Sequence, residues 1–156
     1  MRNISVTIRL AVLGGAALAA ALLMMFHTRE ASAESAGCHF APMAGIVGDS
    51  ATHLNWQQAS SGALYNWDDA ARYCATLELH GMGWRLPTIK ELQTLVDEGA
   101  AMPATDSVAF PNTESEYYWT SSQVVSFANE AWAVSFAYGF DAFFDVHSEH
   151  RVRCVR

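Results

Sequence analysis

Ala131-Trp132-Ala133-Val134-Ser135-Phe136-Ala137-Tyr138-Gly139-Phe140-Asp141-Ala142-Phe143-Phe144-Asp145-Val146 decides the fold. Trp132, Val134 and Phe136 alternate with Ala131, Ala133 and Ser135, the period of two that sends successive side chains to opposite faces of a strand. Tyr138-Gly139 supplies a turn, and Phe140, Ala142, Phe144 and Val146 carry the alternation back. The pattern predicts a β-hairpin with one apolar face. Just upstream, Tyr117-Tyr118-Trp119-Thr120 is rich in strand formers. Downstream, Ser148-Glu149 turns the chain into a last strand, Arg151 to Arg156, with Val152 and Cys154 inward.

Before Tyr117 the period is helical. Asn66 can cap a helix running to His80, with Asp69 in its acidic first turn. Trp67, Ala70, Ala71, Cys74 and Leu77 share one face, and Gly81 and Gly83 end it. Trp84-Arg85-Leu86-Pro87 is an extended connector, because a proline biases the residue before it away from helix. Thr88 opens a second helix and forms a capping box with Glu91; Leu92, Leu95 and Val96 are its buried stripe, and Gly99 stops it. Ala100 to Glu116 holds Pro103 and Pro111 without periodicity and reads as a long loop. Thr52 to Gln57 alternates weakly and suggests a further strand. The expected class is α+β, two helices packed on a twisted antiparallel β-sheet.

The 156 residues suit one domain, and 51% hydrophobic with 16% charged excludes global disorder. Much of that apolar content sits early. Arg2 and Arg9 precede the uncharged run Leu10 to Phe26, and Ala31-Ser32-Ala33 follows. That is the layout of a secretory signal peptide over residues 1–33. Residues 34–44 read as a lead-in and 45–156 as the domain. An uncleaved anchor and lipidation at Cys38, in Ser35-Ala36-Gly37-Cys38, are the alternatives. All three imply export, and the membrane is reached only through an uncleaved N-terminal segment or a lipidated Cys38. Cleavage removes Arg2, Arg9, Arg29 and Glu30, taking 9 basic and 16 acidic residues to 6 and 15, a net charge of −9. Such a balance argues against nucleic acid, whose phosphates need clustered Lys and Arg.

Export permits disulfides, and three cysteines leave one over. Cys74 to Cys154 is the natural bridge, tying the first helix to the last strand. Cys38 is then free, lipidated or intermolecular, the last giving a homo-oligomer. No pair has the C-x-x-C spacing of a zinc site.

Seven local patterns follow in order: Thr52-His53-Leu54-Asn55-Trp56-Gln57; Trp67-Asp68-Asp69-Ala70 leading to Tyr73-Cys74; Gly83-Trp84-Arg85-Leu86-Pro87-Thr88 with Glu91-Leu92 and Leu95-Val96-Asp97; Ala109-Phe110-Pro111-Asn112-Thr113; Tyr118-Trp119-Thr120-Ser121-Ser122; Trp132-Ala133-Val134-Ser135-Phe136 with Gly139; and Val152-Arg153-Cys154-Val155-Arg156. Over roughly residues 45 to 156 the chain resembles the Lcl C-terminal domain family, the C-terminal domain of a bacterial collagen-like adhesin. The resemblance implies a C-type-lectin-like fold, shared more distantly with formylglycine-generating enzymes. It also implies an exported, non-catalytic domain used in adhesion or ligand binding. The adhesin binds sulfated glycosaminoglycans, but a net charge of −9 suits a polyanion only if Arg72, Arg85, Arg151, Arg153 and Arg156 gather on one side. That specificity is therefore not carried over. His53 also departs from the family pattern, which usually has glycine after the threonine.

Other chemistries weigh less. The Glu-Pro-Asn loop and Trp-Asn-Asp strand of calcium-dependent lectins are missing, so Asp141, Asp145 and Glu149 read as a solvated face before they read as calcium ligands. His147-Ser148-Glu149-His150 could offer a metal two nitrogens and a carboxylate but shows no third partner. A formylglycine-generating oxidase needs two reactive cysteines close together, and Cys154 is committed to Cys74. Ser121 and Ser122 lack a G-x-S-x-G setting. Trp84, Arg85, Pro87, Trp119 and Trp132 read as structural.

The outward side of the hairpin is the candidate site. Asp141, Phe143, Asp145 and His147 alternate with the core set, placing an exposed aromatic between carboxylates. The loop Gln123 to Glu130 borders it, with Gln123 and Asn129 as polar contacts. The expected function is a ligand-binding or adhesion module for a carbohydrate or a surface protein, with no catalysis and no cofactor. The alternatives are an assembly subunit of an envelope complex and a formylglycine-generating or metal-dependent enzyme.

Overall fold

The computed structural model describes residues 39–156. The expected signal peptide and Cys38, with the choices among cleavage, anchoring, lipidation and intermolecular pairing, lie outside the described residues. Eight elements run in the order β1 (Phe40–Met43), β2 (Ile46–Asp49), β3 (Leu54–Gln57), α1 (Trp67–Ala75), α2 (Ile89–Gln93), β4 (Tyr117–Val124), β5 (Phe127–Ser135) and β6 (Asp141–Asp145). The class is α+β, but the expected single sheet is two antiparallel three-stranded sheets, β1-β2-β3 and β4-β5-β6. Among the described residues no helix is long and apolar enough to cross a membrane.

Residues 34–44, read as a lead-in, supply the first strand of a hairpin with β2. Met43 pairs with Ile46 across Ala44 and Gly45, both at positive φ (50° and 91°), the signature of a tight primed turn. Pro42 is tolerated because β1 is an edge strand. The β2–β3 turn is built by Asp49, whose buried carboxylate accepts from the amides of Ala51 and Thr52 and from the Thr52 hydroxyl. His53 follows at φ 59°, the left-handed region where a side chain costs and glycine does not. That conformation explains the family's preference for glycine here. His53→Gly is expected to raise stability by about 0.5–1 kcal/mol, measured by urea titration. A loss instead would mean that the imidazole, not the backbone, sets the turn.

Both helices start where their caps predict and stop early. Asn66 Oδ1 accepts from the Asp69 amide, and Thr88 and Glu91 form the reciprocal box. α1 ends at Ala75 rather than His80, and the Thr76 hydroxyl takes the Arg72 carbonyl. Leaving the helix lets Leu77 and Leu79 both pack on one cluster, which residues two apart on a helix cannot do. α2 ends at Gln93 rather than Gly99, since the Thr105 hydroxyl captures the Leu95 carbonyl and Asp97 N–H bonds Ala104.

Two core clusters result. One gathers Ala70, Cys74, Trp84, Leu86, Trp119, Ala131, Ala133, Val152 and Cys154; the other gathers Val47, Trp56, Leu92, Leu95, Phe110, Tyr118, Val134, Phe136 and Val155. Arg151 to Arg156, expected as one strand with a single inward face, belongs instead to an extended segment, residues 150–156, that is buried on both sides from Val152 to Val155. His150 and Tyr65 exchange backbone hydrogen bonds, Arg151 bonds Tyr117 and Trp119, Cys154 and Arg156 bond Gln57 and Asn55, and Val155 and Arg85 exchange a pair. Cys74 and Cys154 form the expected disulfide, both fully buried.

Candidate functional site

Antiparallel register sorts the candidate residues by face, because directly opposed residues project to the same side. Trp132 opposes Phe143, Glu130 opposes Asp145 and Val134 opposes Asp141. The outward face of β5–β6 therefore carries Glu130, Trp132, Asp141, Phe143 and Asp145. At the α2 end of that face Val134 is covered, and Gln93 Nε2 donates to Asp141 Oδ1 at 3.4 Å. Beyond it the face is open. Phe143 is 50% exposed and meets Trp132 edge to face, ring centroids 5.4 Å apart. Trp132, expected among the structural residues of the hairpin's apolar face, is half-buried and belongs to this outward pair. The small side chains of Ala131 and Ala133 occupy the core instead, in one cluster with Ala70 and Cys74 of α1.

Gln123 and Asn129 go the other way. Gln123 opposes Ala131, which opposes Phe144, so both Gln123 and Asn129 sit on the side of the sheet away from Phe143. They are exposed near the β4–β5 turn and do not border the aromatic pair. His147 stays with Asp145, whose Oδ1 accepts from the His147 amide and Nδ1, each at 2.8 Å. Those two donors, the backbone one first, hold the Asp145 carboxyl below the usual carboxylate range. Glu130 adds a second carboxylate directly across from Asp145 and was missed, because its partner depends on the register rather than on local pattern.

The other candidates separate. Asp141 and Asp145 lie about 13 Å apart along β6 at strand rise, too far to share one cation. His147 faces solvent, whereas His150 packs against Phe144 and Trp119, centroids 4.3 and 4.6 Å away. That burial lowers the His150 pKa. Among the described residues no three His, Cys, Asp or Glu are arranged to hold a metal ion. Ser121 and Ser122 fasten the connector: Ser121 N–H donates to the Pro87 carbonyl, and Ser122 Oγ accepts from the Ile89 amide.

Trp84 and Pro87 are buried and Trp119 is fully buried. Arg85 makes a two-pronged pair with Glu91, 2.8 and 2.7 Å, which pulls the Glu91 pKa down to about 2. The remaining arginines have partners of their own. Arg72 pairs with Asp69, Arg151 with Glu116 and Glu114, Arg153 is buried, and Arg156 lies over Trp84 with a hydrogen bond to His80 O. Each is engaged locally among the described residues.

The model of the Lcl C-terminal domain matches residues 45–156. Comparison with curated proteins finds no match. The matched span contains both core clusters, the disulfide and the whole outward face of β5–β6, so the chain belongs to the Lcl C-terminal domain family.

Proposed function

We propose that this chain is an exported, non-catalytic binding module of C-type-lectin-like fold, whose ligand, a carbohydrate or a surface protein, meets the Trp132–Phe143 face. The exposed aromatic pair carries the reading. A half-exposed phenyl ring held edge-on by an indole offers a rigid apolar surface at low entropic cost, and Glu130, Asp145 and His147 ring it with hydrogen-bonding groups. Family membership supports an adhesin-like role. The buried disulfide fits an oxidising compartment outside the cytosol. Two helices, two antiparallel sheets and a late segment that returns to β3 support the lectin-like architecture.

A glycan array probed with and without calcium identifies the ligand class. Phe143→Ala is expected to leave the melting temperature nearly unchanged, since half the ring is already in water. Binding should weaken by about 2 kcal/mol, roughly thirtyfold in Kd. Undiminished binding by a stable Phe143→Ala protein would remove this face from consideration.

A further inference from the structure

We infer that a second ligand site, for a neutral sugar ring, lies in the cleft between Tyr65 and α1. The cleft holds about 300 Å³ and is lined by Tyr65, Asp69, Arg72, Tyr73 and Thr76. It sits on the α1 side of β4-β5-β6, where Tyr65 and Tyr73 pack against the cluster of Ala131 and Ala133, whereas Phe143 projects from the other side. The two sites are separate surfaces.

The lining matches a pyranose group by group. A sugar ring has an apolar patch of C–H bonds and a rim of hydroxyls that both donate and accept. Tyr65 and Tyr73, centroids 5.2 Å apart and tilted by 32°, offer aromatic faces for the first. Asp69 and Arg72 offer an acceptor and a planar fork of donors for the second. The volume is at the small end for ligand pockets and fits a single ring rather than an extended chain.

These groups are positioned in advance. Tyr73 Oη accepts from Gln57 Nε2 at 2.8 Å, which leaves its own O–H to donate. The Tyr65 backbone is held by hydrogen bonds to His150 in both directions, 3.0 and 2.9 Å, and its ring rests against Tyr73. Asp69 Oδ2 accepts from Asn66 Nδ2 at 2.9 Å, and Oδ1 pairs with Arg72; each oxygen keeps a lone pair for a hydroxyl. Ordering costs on binding are correspondingly small.

Charge selects against ionic sugars. Arg72 and Asp69 cancel each other inside the cleft, so neither an anion nor a cation gains a net field there. The acidic chain as a whole, −7 in formal charge, further disfavours uronates and sulfated sugars.

The test is an amide NMR titration of the oxidised protein with glucose, galactose, mannose and N-acetylglucosamine, and with glucuronate and glucosamine as charged counterparts. At least one neutral sugar should shift the amides of Asp69, Arg72, Tyr73 and Thr76 saturably at millimolar concentration. Arg72 is 70% exposed, so Arg72→Ala should fold normally and weaken that binding by about tenfold. Phe143→Ala should leave it unchanged, which separates this site from the Trp132–Phe143 face. Absence of saturable shifts at these residues with every neutral sugar would overturn the assignment. Equal binding of glucuronate, or indifference to Arg72→Ala, would do the same.

Discussion

Replacing Cys74 and Cys154 together by alanine is expected to lower unfolding stability by about 4–5 kcal/mol. The bridge spans 80 residues and so restrains most of the domain in its unfolded state. A domain of this size has about 5–15 kcal/mol in total, so the loss consumes a large share of it. Urea melts of the oxidised protein, the double variant and the fully reduced protein measure the difference, and the last two should agree. Both sulfurs are fully buried, so the reductant acts only through opening of the domain and the sample must be reduced in its unfolded state. A difference below about 1 kcal/mol would mean that the backbone hydrogen bonds of residues 150–156 hold the segment without the bridge.

The second large effect is at Arg153, the only fully buried arginine among the described residues. Its guanidinium lies over Phe110 at 4.8 Å, with Tyr118 and Phe136 at 5.6 and 5.9 Å. Nη2 donates to Thr113 Oγ1 at 2.9 Å and to Gln58 O at 3.3 Å, while Nε and Nη1 have no hydrogen-bond partner among the described residues. Burial pushes its pKa down to about 10, against the pull of Tyr118 and Glu114. The same burial raises the Tyr118 phenol to about 12, and its O–H donates to Glu114 Oε2 at 2.6 Å. Arg153→Ala should cost about 3–5 kcal/mol, because it leaves a cavity among three aromatic rings and takes the donor from Thr113 Oγ1 and the Gln58 carbonyl. Arg153→Met keeps a long stem against the rings and discards a half-satisfied charge. It should lie within about 1 kcal/mol of the parent or above it. Equal losses for the two variants would show that the charge, through its aromatic and carboxylate neighbours, is a net stabiliser.

What was legible in the sequence is what short-range chemistry decides. Asn66 and Thr88 announce their helices because a cap needs only the next three residues. The alternation through β6 placed Ala142 and Phe144 toward the core, and Cys74 faced Cys154 once the first helix and the Arg151–Arg156 segment were drawn, whereas the β5 alternation put Trp132 on the wrong side. Helix ends were not legible, since Thr105 and Ala104, far along the chain, decide where α2 unwinds. The β1–β2 hairpin was hidden because alanine at the first turn position carries none of the signal that asparagine or aspartate gives. The site was half legible. Phe143 could be read as outward, but its partner depends on turn length. Centring a two-residue turn on Tyr138-Gly139 would set Phe143 opposite Val134, whereas Ser135 N–H bonds Phe140 O and the resulting register delivers Trp132. Gln123 and Asn129 were grouped with Phe143 from loop proximity, and the face they occupy follows only from the shifted register after Trp119.

The segment 150–156 also sets a timetable. Its partners are Asn55 and Gln57 of β3, Tyr65, Arg85, and Tyr117 and Trp119 of β4, all synthesised before it. Every one of those backbone groups is completed by residues 150–156. Neither core cluster is closed without Val152, Cys154 or Val155. The domain therefore closes late, because contacts of such long sequence separation form slowly. Until residues 150–156 dock, β3, β4 and the Arg85 connector share no common backbone hydrogen-bond partner among the described residues, so this one segment is the clasp that joins the three.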